Sequence, residues 1–372
     1  MFQFGSNQGG RSLRAALVRN IGDDKVEVRD DVELVDLGAG EVKVKIEATG
    51  VCHSDLSVLN GTIPQPPPCV LGHEGAGIVA EVGEGVTNVK AGDHVIIAWS
   101  APCGACAFCG PRNQPNLCSN IMMVAGGTPH FLLDGQPVFG MAGAGTFAEQ
   151  MIIPHQGVVK IDDDIPLEIG SLVGCGVMTG VGAAINTAKV TPGSSVVVFG
   201  CGGVGISCIQ GAKVAGASVI VAVDLNDQKL EDAQRFGATH ACKPDELDAL
   251  KASLTGGDGF DYSFEAIGLP VTMRAAYDAI RRGGTACIVG VGKLDEFVQF
   301  SAFELFFSEK NLVGSYYGSA DVRTDFHKLL GFWKEGKLDL EGMISRRIKL
   351  DEINDAFDAM QRGEVIRQVI SF

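Results

Sequence analysis

Hydrophobic and polar residues alternate in short stretches along the first half of the chain. Val42, Val44 and Ile46 are separated by charged residues within Glu41–Glu47, and this period of two predicts a strand with one buried face. Glycine- and proline-rich turns recur between such stretches, for example at Pro64–Pro68. The first half is therefore predicted to form a compact, irregular, β-rich domain.

The pattern changes near Thr191–Gly193, after which short apolar runs alternate with helix-sized segments. The predicted strands are Ser195–Phe199, Ser218–Asp224, His240–Cys242, Phe260–Glu265, Thr285–Gly290 and Leu312–Tyr317. The predicted helices are Gly203–Gly216, Gln228–Phe236, which ends at Gly237, and Arg274–Arg282, which ends at Gly283-Gly284. Strands that alternate with helices predict a parallel sheet covered on both faces, and six strands match the full sheet of a dinucleotide-binding domain.

Together these patterns predict an α/β protein whose second half is a doubly wound parallel sheet. A length of 372 residues agrees with two domains, at roughly 150 residues per domain. We expect the β-rich domain over residues 1–177 and the dinucleotide-binding domain over 178–319. The C-terminal segment, 320–372, is expected to return to the first domain.

The net charge of the chain disfavours some classes of binding partner. Acidic residues outnumber basic ones by 45 to 30, which gives a formal net charge of −15 at pH 7. Such a surface disfavours nucleic acid and anionic membranes as partners because both would repel it. No run approaches the roughly 18 apolar residues of a membrane span, and residues 1–12 lack the features of a signal peptide. In a chain of this length without a secretion signal, eleven cysteines more often serve metal or redox chemistry than disulfides, so a cytosolic location is expected.

A loop with four cysteines is the strongest single motif. Cys103, Cys106 and Cys109 follow one another at intervals of three, and Cys118 comes next. Four thiolates at short spacing suit a closed, tetrahedral zinc site. A redox Cys-x-x-Cys is the competing interpretation. That motif needs only two cysteines near a βαβ unit, whereas this loop has four. We therefore predict a structural zinc that stabilises the loop and takes no part in the chemistry.

A glycine-rich loop, Gly200–Gly205, fits the pattern Gly-x-Gly-x-x-Gly between a predicted strand and a predicted helix. Gly200 permits the tight turn, Gly202 lets the backbone approach a pyrophosphate, and Gly205 lets helix and strand pack closely. The helix N-terminus offers free amides to the phosphates. Asp224, about 20 residues on, would bind the ribose hydroxyls and repel a 2′-phosphate, so NAD is favoured over NADP. A plain structural turn is the alternative.

A second set of potential zinc ligands is dispersed along the chain: Cys52, His73, Glu74 and Cys175. A catalytic zinc takes three protein ligands and leaves one position open. Spacing alone does not bring Cys52, His73 and Cys175 together, and for each residue by itself an ordinary buried role is the better interpretation.

Five motifs occur in the order found in one enzyme family. They are Cys52–Asp55, Gly72–Gly77, the four-cysteine loop, Gly174–Gly176 and Gly200–Gly205. With them the chain, from about Arg14 onward, resembles the zinc-containing medium-chain alcohol dehydrogenases, close to their class III branch of glutathione-dependent formaldehyde dehydrogenases. The resemblance implies a GroES-like catalytic domain, a Rossmann coenzyme domain, two zinc ions per chain and NAD.

The resemblance also implies roles for individual residues. Cys52, His73 and Cys175 would bind the catalytic zinc, and Cys103, Cys106, Cys109 and Cys118 the structural zinc. Glu74 would approach the metal during ligand exchange, Asp55 would orient His73, and Ser54 would hydrogen-bond the alcohol. The implied coenzyme contacts are His53, Thr179, Gly200, Gly202, Gly203, Val204, Gly205, Asp224, Lys229, Val289, Val291, Tyr317 and Arg367. The implied substrate-pocket residues are Ile63, Trp99, Met123, Met141 and Tyr316.

The implied reaction is reversible hydride transfer between an alcohol and NAD. Zinc would act as the Lewis acid that lowers the pKa of the alcohol, and Ser54 would pass the proton outward. The hydride would move to the nicotinamide over about 3–3.5 Å.

The chain departs from the family pattern in three ways. Eight residues separate Cys109 from Cys118, where the family usually has seven, and we expect the loop to tolerate the extra residue. Ser57 stands where some members end the proton relay in a histidine. Ile63 and Met122 stand where the class III enzymes have acidic and arginine anchors for glutathione. Glutathione adducts are therefore not expected as substrates. The pocket residues Trp99, Met123, Met141 and Tyr316 instead favour a primary apolar or aromatic alcohol.

Two other functions stay open. A dehydrogenase of formaldehyde adducts of another thiol, such as mycothiol, would require that thiol for activity. A zinc-poor quinone reductase-like protein would bind the dinucleotide without oxidising alcohols, but such relatives lack both cysteine sets. A zinc-ribbon nucleic-acid binder is excluded by the net charge and by the single cysteine cluster. The family forms dimers or tetramers, and the chain length favours a homodimer.

Overall fold

The computed structural model describes residues 12–121 and 128–372, which form two compact units. The first unit comprises the described residues up to Cys175 together with Asp321–Leu330 and Leu340–Phe372. The second unit comprises Gly176–Ala320 and Gly331–Asp339. The C-terminal part of the chain therefore contributes to both units.

The first unit is built mainly of β-strands. They are β1 (Leu13–Val18), β2 (Glu27–Leu34), β3 (Glu41–Val51), β4 (Cys69–Val70), β5 (Glu74–Val82), β6 (His94–Ile97), β7 (Phe131–Leu133), β8 (Gln136–Gly140), β9 (Gln150–Pro154), β10 (Val158–Lys160), β17 (Ile344–Ile348) and β18 (Arg367–Ser371). Strands β1, β2, β7, β8 and β4 close a small barrel, while β10, β6, β5, β3, β18 and β17 form a sheet in that order, with β9 also paired to β3.

Four helices accompany these strands: α1 (His53–Leu59), α2 (Leu167–Leu172), α9 (Val322–Lys334), which begins in this unit, and α10 (Ile353–Gln361). Short 3-10 helices occur in both units at Pro115–Leu117, Met141–Gly143, His155–Gly157, Pro244–Glu246, Tyr317–Ser319, Glu341–Met343 and Leu350–Glu352.

Strand β3 shows how the hydrophobic pattern sets this fold. Val42, Val44 and Ile46 are fully buried in the core of the first unit, as their alternation predicts. The strand also continues four residues beyond the predicted end, to Val51. Ala48–Val51 pairs with β18 on one side, and this stretch does not alternate because both of its faces are buried.

The second unit contains the predicted parallel sheet. Its strands are β11 (Ser195–Phe199), β12 (Val219–Val223), β13 (His240–Cys242), β14 (Phe260–Glu265), β15 (Ile280–Ile288) and β16 (Asn311–Gly314), in the order β13-β12-β11-β14-β15-β16. Every pair in this sheet is parallel. Its helices are α3 (Met178–Gly182), α4 (Gly203–Val214), α5 (Asp227–Phe236), α6 (Leu247–Thr255), α7 (Pro270–Ala279) and α8 (Ala302–Phe307). The predicted α/β class and the six-stranded sheet are confirmed.

One predicted helix, Arg274–Arg282, is wrong at both ends. The helix begins at Pro270, which suits the first helical position because it lacks an N–H that would go unused there. It ends at Ala279 because Ile280 is extended, buried and paired with Phe260 of the sheet. The predicted stop signal, Gly283-Gly284, lies inside β15 instead.

The segment Leu167–Thr187 is a 21-residue helical stretch that is long and apolar enough to cross a membrane by length and composition. Within its most apolar window, 83% is buried inside the protein, as expected of a core helix. The stretch contains two π-helical turns, Val173–Val177 and Ala183–Thr187. Such turns often occur at functional sites, and the first of them contains Cys175.

Candidate active site and coenzyme loop

The fold brings the three dispersed residues together in the first unit. The possible ligand atoms of Cys52, His73 and Cys175 all lie within 4.8 Å of one another, and all three residues are buried. Cys52 caps the start of α1, His73 immediately precedes β5, and Cys175 lies in the π-helical turn. Three separate elements therefore converge on one point, which spacing in the sequence could not show.

Asp55 holds two members of this group in place. Its Oδ2 accepts a hydrogen bond of 2.9 Å from the backbone N–H of Cys52. Its Oδ1 accepts one of 3.1 Å from the N–H of Gly72 and lies 3.1 Å from Nδ1 of His73. When Asp55 is ionised its carboxylate only accepts, so that Nδ1 then carries the proton and Nε2 is the nitrogen left for a metal. The resemblance implied a contact between Asp55 and His73, and the role of Asp55 in orienting a metal-bound ring stays a prediction.

The electrostatics of the group suit a divalent cation. A hydrogen bond from Cys175, and a second from His73, hold the pKa of the Cys52 thiol well below its ordinary value. The same contact with Cys52, together with burial, raises the pKa of the Cys175 thiol. Without a cation, two buried sulfurs this close do not both ionise. Two thiolates and an imidazole are preferred zinc ligands, so the residues present fit the metal.

Glu74 and Arg367 lie beside the ligand group. Oε1 of Glu74 is 3.5 Å from Nη2 of Arg367, and both side chains are buried. Although burial opposes it, the nearby Glu74, Cys52 and Cys175 raise the pKa of Arg367. Gly50 makes room for the carboxylate, since a Cβ there would overlap Oε2 of Glu74. The predicted contact of Arg367 with a coenzyme pyrophosphate stays a prediction.

The other residues predicted near the metal have varied surroundings. Oγ of Ser54 lies 3.7 Å from Sγ of Cys52, and the ring of Trp99 meets that of His73 edge-on at 5.9 Å. Met141 belongs to an apolar cluster against which Ile63 packs. His53 is exposed. Met123, together with Met122, lies outside the described residues.

The four cysteines of the predicted structural site also converge. Their sulfur atoms all lie within 4.8 Å of one another, and none of the four forms a disulfide. Backbone N–H groups of Cys109 and Ser119 lower the pKa of the Cys106 thiol to about 6. The extra residue in the loop is accommodated, and Asn113 adopts a left-handed φ of +48° between the third and fourth cysteines.

In the second unit the glycine-rich loop has the expected turn. Gly200 has a φ of +89°, and a Cβ at Gly205 would overlap the carbonyl of Gly200. A Cβ at Gly202 would meet nothing within 4 Å, which leaves open space at the N-terminus of α4. Asp224 accepts hydrogen bonds from the N–H groups of Cys201 at 2.8 Å and Asn226 at 3.0 Å. These residues fit a dinucleotide.

The remaining predicted coenzyme residues lie on several elements of the same unit. Gly203 and Val204 open α4, Lys229 is on α5, and Thr179 is on α3. Val289 is buried and Val291 exposed directly after β15. Tyr317 is buried with a φ of +51°, whereas Tyr316 is exposed.

Sequence reasoning missed Glu265 and Ile267. Glu265 ends the central strand β14, and Ile267 lies against Gly200, where a Cβ would come within 2.6 Å of Cγ1 of Ile267. The available signal was an acidic residue at the carboxyl end of a central parallel strand, the edge at which ligands bind in open α/β sheets.

Comparisons with known proteins agree with this architecture. Residues 38–163 match the family "Alcohol dehydrogenase GroES-like domain", and residues 203–335 match "Zinc-binding dehydrogenase". The chain is 42% identical to the alcohol dehydrogenase class-3 of Cereibacter sphaeroides, over 92% of this chain and 95% of that protein. It is 40% identical to the S-(hydroxymethyl)glutathione dehydrogenase of Paracoccus denitrificans, with the same coverage.

A solved structure is similar over nearly the whole length. The benzyl alcohol dehydrogenase of Acinetobacter calcoaceticus superimposes with a TM-score of 0.89 at 32% identity, covering 97% of this chain and 99% of that one. The predicted GroES-like and Rossmann architecture, the enzyme class, and zinc and NAD as cofactors are thereby confirmed. The chain belongs to the zinc-dependent medium-chain alcohol dehydrogenases and is similar to their class III branch.

Proposed function

We propose that Cys52, His73 and Cys175 hold the catalytic zinc of this alcohol dehydrogenase, and that NAD binds at the Gly200–Gly205 loop. The observation that carries the proposal is the convergence of two thiols and an imidazole within 4.8 Å. Three such ligands leave one tetrahedral position for substrate. When bound, zinc supplies Lewis-acid chemistry that lowers the pKa of an alcohol.

The surrounding residues have separate tasks in this proposal. Asp55 keeps the proton of His73 on Nδ1 and fixes the ring. Ser54 lies next to Cys52 but is partly exposed, so its hydroxyl can accept the proton of the alcohol and release it outward. Asp55 cannot do this because its side chain is buried and engaged with backbone N–H groups.

We propose a primary, apolar or aromatic alcohol as the substrate. The partly buried Ile63 packs against the apolar cluster that contains Met141, and the ring of Trp99 meets that of His73 edge-on. Apolar side chains favour an uncharged, hydrophobic ligand because its burial releases ordered water. The similar fold of a benzyl alcohol dehydrogenase supports the same substrate class.

A second candidate is an S-(hydroxymethyl) adduct of a thiol. It is supported by the relatives of 40–42% identity that are named S-(hydroxymethyl)glutathione dehydrogenase. Ile63 weighs against glutathione itself, because this side chain packs in an apolar cluster and offers no charge to the peptide part of the thiol.

A substrate panel distinguishes the two candidates. Purified enzyme would be assayed for NAD reduction with benzyl alcohol, with formaldehyde alone, and with formaldehyde plus glutathione or mycothiol. We expect the highest kcat/KM with benzyl alcohol and no stimulation by either thiol. Activity with formaldehyde that appears only when a thiol is added would favour the adduct dehydrogenase. An enzyme that contains no zinc and reduces quinones would refute both.

The preference for NAD is expected to depend on Asp224. This carboxylate is proposed to bind the ribose hydroxyls and to repel a 2′-phosphate. Replacing it in Asp224→Gly would remove the repulsion and lower the ratio of kcat/KM for NAD over NADP by about tenfold or more, which is about 1.4 kcal/mol of discrimination. An unchanged ratio would contradict this role.

We further propose that the enzyme is a homodimer formed through the edge of the parallel sheet. Edge strand β16 has partners on one side only in the described chain, and an exposed edge is prone to pair with another chain. Several large apolar side chains are exposed near it in sequence: Leu294, Phe297, Phe303, Phe306, Phe307 and Leu312. Patches of this kind mark protein interfaces.

We also propose a cytosolic location. All eleven cysteines are free, and the reducing cytosol keeps thiols in that form. Fractionation of the source cells would test it.

A further inference from the structure

A buried carboxylate lies at the centre of the coenzyme sheet. Glu265 is the last residue of β14 and is fully buried. It pairs in register with Phe199 of β11 on one side and with Ile288 of β15 on the other. It therefore lies directly below the loops that follow both neighbouring strands.

One carboxylate oxygen organises the loop after β14. Oε1 of Glu265 accepts hydrogen bonds from the N–H groups of Ile267 at 3.0 Å and Gly268 at 2.7 Å, and from the hydroxyl of Thr272 at 2.6 Å. Buried donors are costly to leave without an acceptor. The side chain thus fixes the chain from Glu265 to the first turn of α7.

The backbone of Glu265 organises the loop after β15. Its carbonyl accepts hydrogen bonds from the N–H groups of Val289 at 2.8 Å and Gly290 at 2.9 Å. Val289 and Val291 are two of the proposed coenzyme contacts. A single residue therefore holds two of the loops that border the proposed dinucleotide site.

Glycines allow these loops to pack without intervening side chains. A Cβ at Gly268, where φ is +95°, would overlap the carbonyl of Val291. A Cβ at Gly290 would overlap the N–H of Gly268 and lie 2.7 Å from Oε2 of Glu265. Ile267, which Glu265 positions, lies in turn against Gly200 of the glycine-rich loop.

The second oxygen, Oε2, is buried and has no hydrogen-bond partner among the described residues. A buried acceptor without a donor costs free energy, and this cost offsets part of what the three hydrogen bonds to Oε1 contribute. A native protein that carries such a cost points to a functional constraint on that residue. The constraint that the geometry provides is the spacing of the three loops.

We infer that Glu265 is a positioning residue for the coenzyme. It sets the spacing between the Gly200–Gly205 loop, the Ala266–Leu269 loop and Val289–Val291 at the value that NAD requires. This inference rests on the proposed function, because it places NAD at these loops. Glu265 touches no reacting atom, so its removal should weaken coenzyme binding more than it slows the chemical step.

The test measures the Kd of NADH by fluorescence titration of the holoenzyme and its variants. For Glu265→Ala we expect a Kd for NADH about tenfold higher or more, because the hydrogen bonds to Oε1 that hold the loop are lost. The kcat at saturating NAD should stay within about threefold of wild type. Glu265→Gln keeps an acceptor oxygen for the loop and should bind NADH within about threefold of wild type.

Ser263→Ala is the matched control. Ser263 lies two residues earlier on the same strand, is equally buried, and donates a hydrogen bond of 2.7 Å to the carbonyl of Ala276. Its loss should lower the melting temperature without changing the Kd of NADH. Equal Kd values for Glu265→Ala and Ser263→Ala would overturn the inference, as would a Glu265→Gln variant that binds as weakly as Glu265→Ala.

If Glu265→Ala does not fold, Thr272→Val decides the question. It removes one donor to Oε1 at a partly exposed position, and an unchanged Kd would overturn the inference. A wild-type enzyme that binds no NADH would overturn the proposed function itself. Tight binding by wild type and by Glu265→Ala alike would overturn only the role of Glu265.

Discussion

At the scale of single residues, the geometry of the proposed zinc site depends on side chains that do not bind the metal. Asp55 connects the backbone of Cys52 and Gly72 to the ring of His73. In Asp55→Asn, an amide N–H would have to face one of these donors. Because partners of this kind typically contribute 10- to 100-fold to metal affinity, we expect zinc to be lost at about tenfold lower chelator concentration.

Asp93→Asn is the control for that measurement. Asp93 is another buried carboxylate of the first unit, where it accepts hydrogen bonds from the N–H of Lys90 and from Lys160. Its replacement should affect stability and leave zinc retention unchanged. If the two variants lose zinc equally, Asp55 has no specific role at the site.

Gly50 has no side chain, yet we expect its substitution to destabilise the protein. Gly50→Ala would place a methyl group on the carboxylate of Glu74, and overpacking of this kind costs about 1–3 kcal/mol. Gly331→Ala, in α9, would meet nothing within 4 Å and should stabilise the protein by about 0.5–1 kcal/mol. Denaturant midpoints of the two variants that shift in the same direction would contradict this account.

Individual site residues were predicted only as far as motifs could reveal them. Cys52, His73 and Cys175 came from a resemblance, because their convergence depends on three elements far apart in sequence. The role of Asp55 was likewise implied by the resemblance and not by spacing. Glu265 was missed, since its contacts with Gly268, Thr272 and the loop after β15 arise only when the sheet is assembled.

At the scale of elements, the loop from Cys103 to Cys118 has little regular structure of its own. Its only assigned helix is the short turn Pro115–Leu117, so a bound zinc would supply much of its order. In Cys106→Ser we expect the zinc content to fall from two ions per chain to one and the melting temperature to fall by several degrees. Metal analysis and calorimetry provide the measurement.

The same variant separates the two zinc sites. The ligand group of Cys52, His73 and Cys175 is untouched by Cys106→Ser, so folded enzyme should still oxidise alcohol. A variant that keeps both zinc ions, or one that keeps its stability after losing one, would show that the four cysteines do not hold a structural metal.

The elements were predicted best where hydrophobic runs are short and bounded by glycine. Strands β11, β13 and β14 begin and end at the predicted residues. Parallel strands that are buried on both faces have continuous apolar sequences, so their ends are easy to locate. The helix predicted at Arg274–Arg282 failed because burial of Ile280 against Phe260 outweighs the helical pattern. The π-helical turn that carries Cys175 has no sequence signal, since its hydrogen bonds shift by one residue without a change in composition.

At the scale of the whole molecule, the proposed dimer explains why an acidic chain exposes a group of aromatic side chains. Phe306 on α8 is 70% exposed and contacts Phe303 and Phe307. In Phe306→Glu, each copy would place a charge in the interface, where it is costly to bury. Light scattering should give twice the chain mass for wild type and the single chain mass for this variant.

Val271→Glu is the matched control for the dimer. Val271 is 71% exposed on α7 of the same unit, so the change introduces the same charge at an equally accessible apolar residue. It should leave the mass unchanged. A monomeric wild type, or a Phe306→Glu variant that stays dimeric, would contradict the proposed interface.

The central claim is a zinc ion held by three protein ligands with one position open. An anomalous difference map at the zinc absorption edge of a crystal of the holoenzyme tests it most directly. The account predicts two peaks per chain, one of them about 2.3 Å from the sulfurs of Cys52 and Cys175 and about 2.0–2.1 Å from Nε2 of His73, with no fourth protein ligand. No peak there, or a peak with four protein side chains bound, would contradict it.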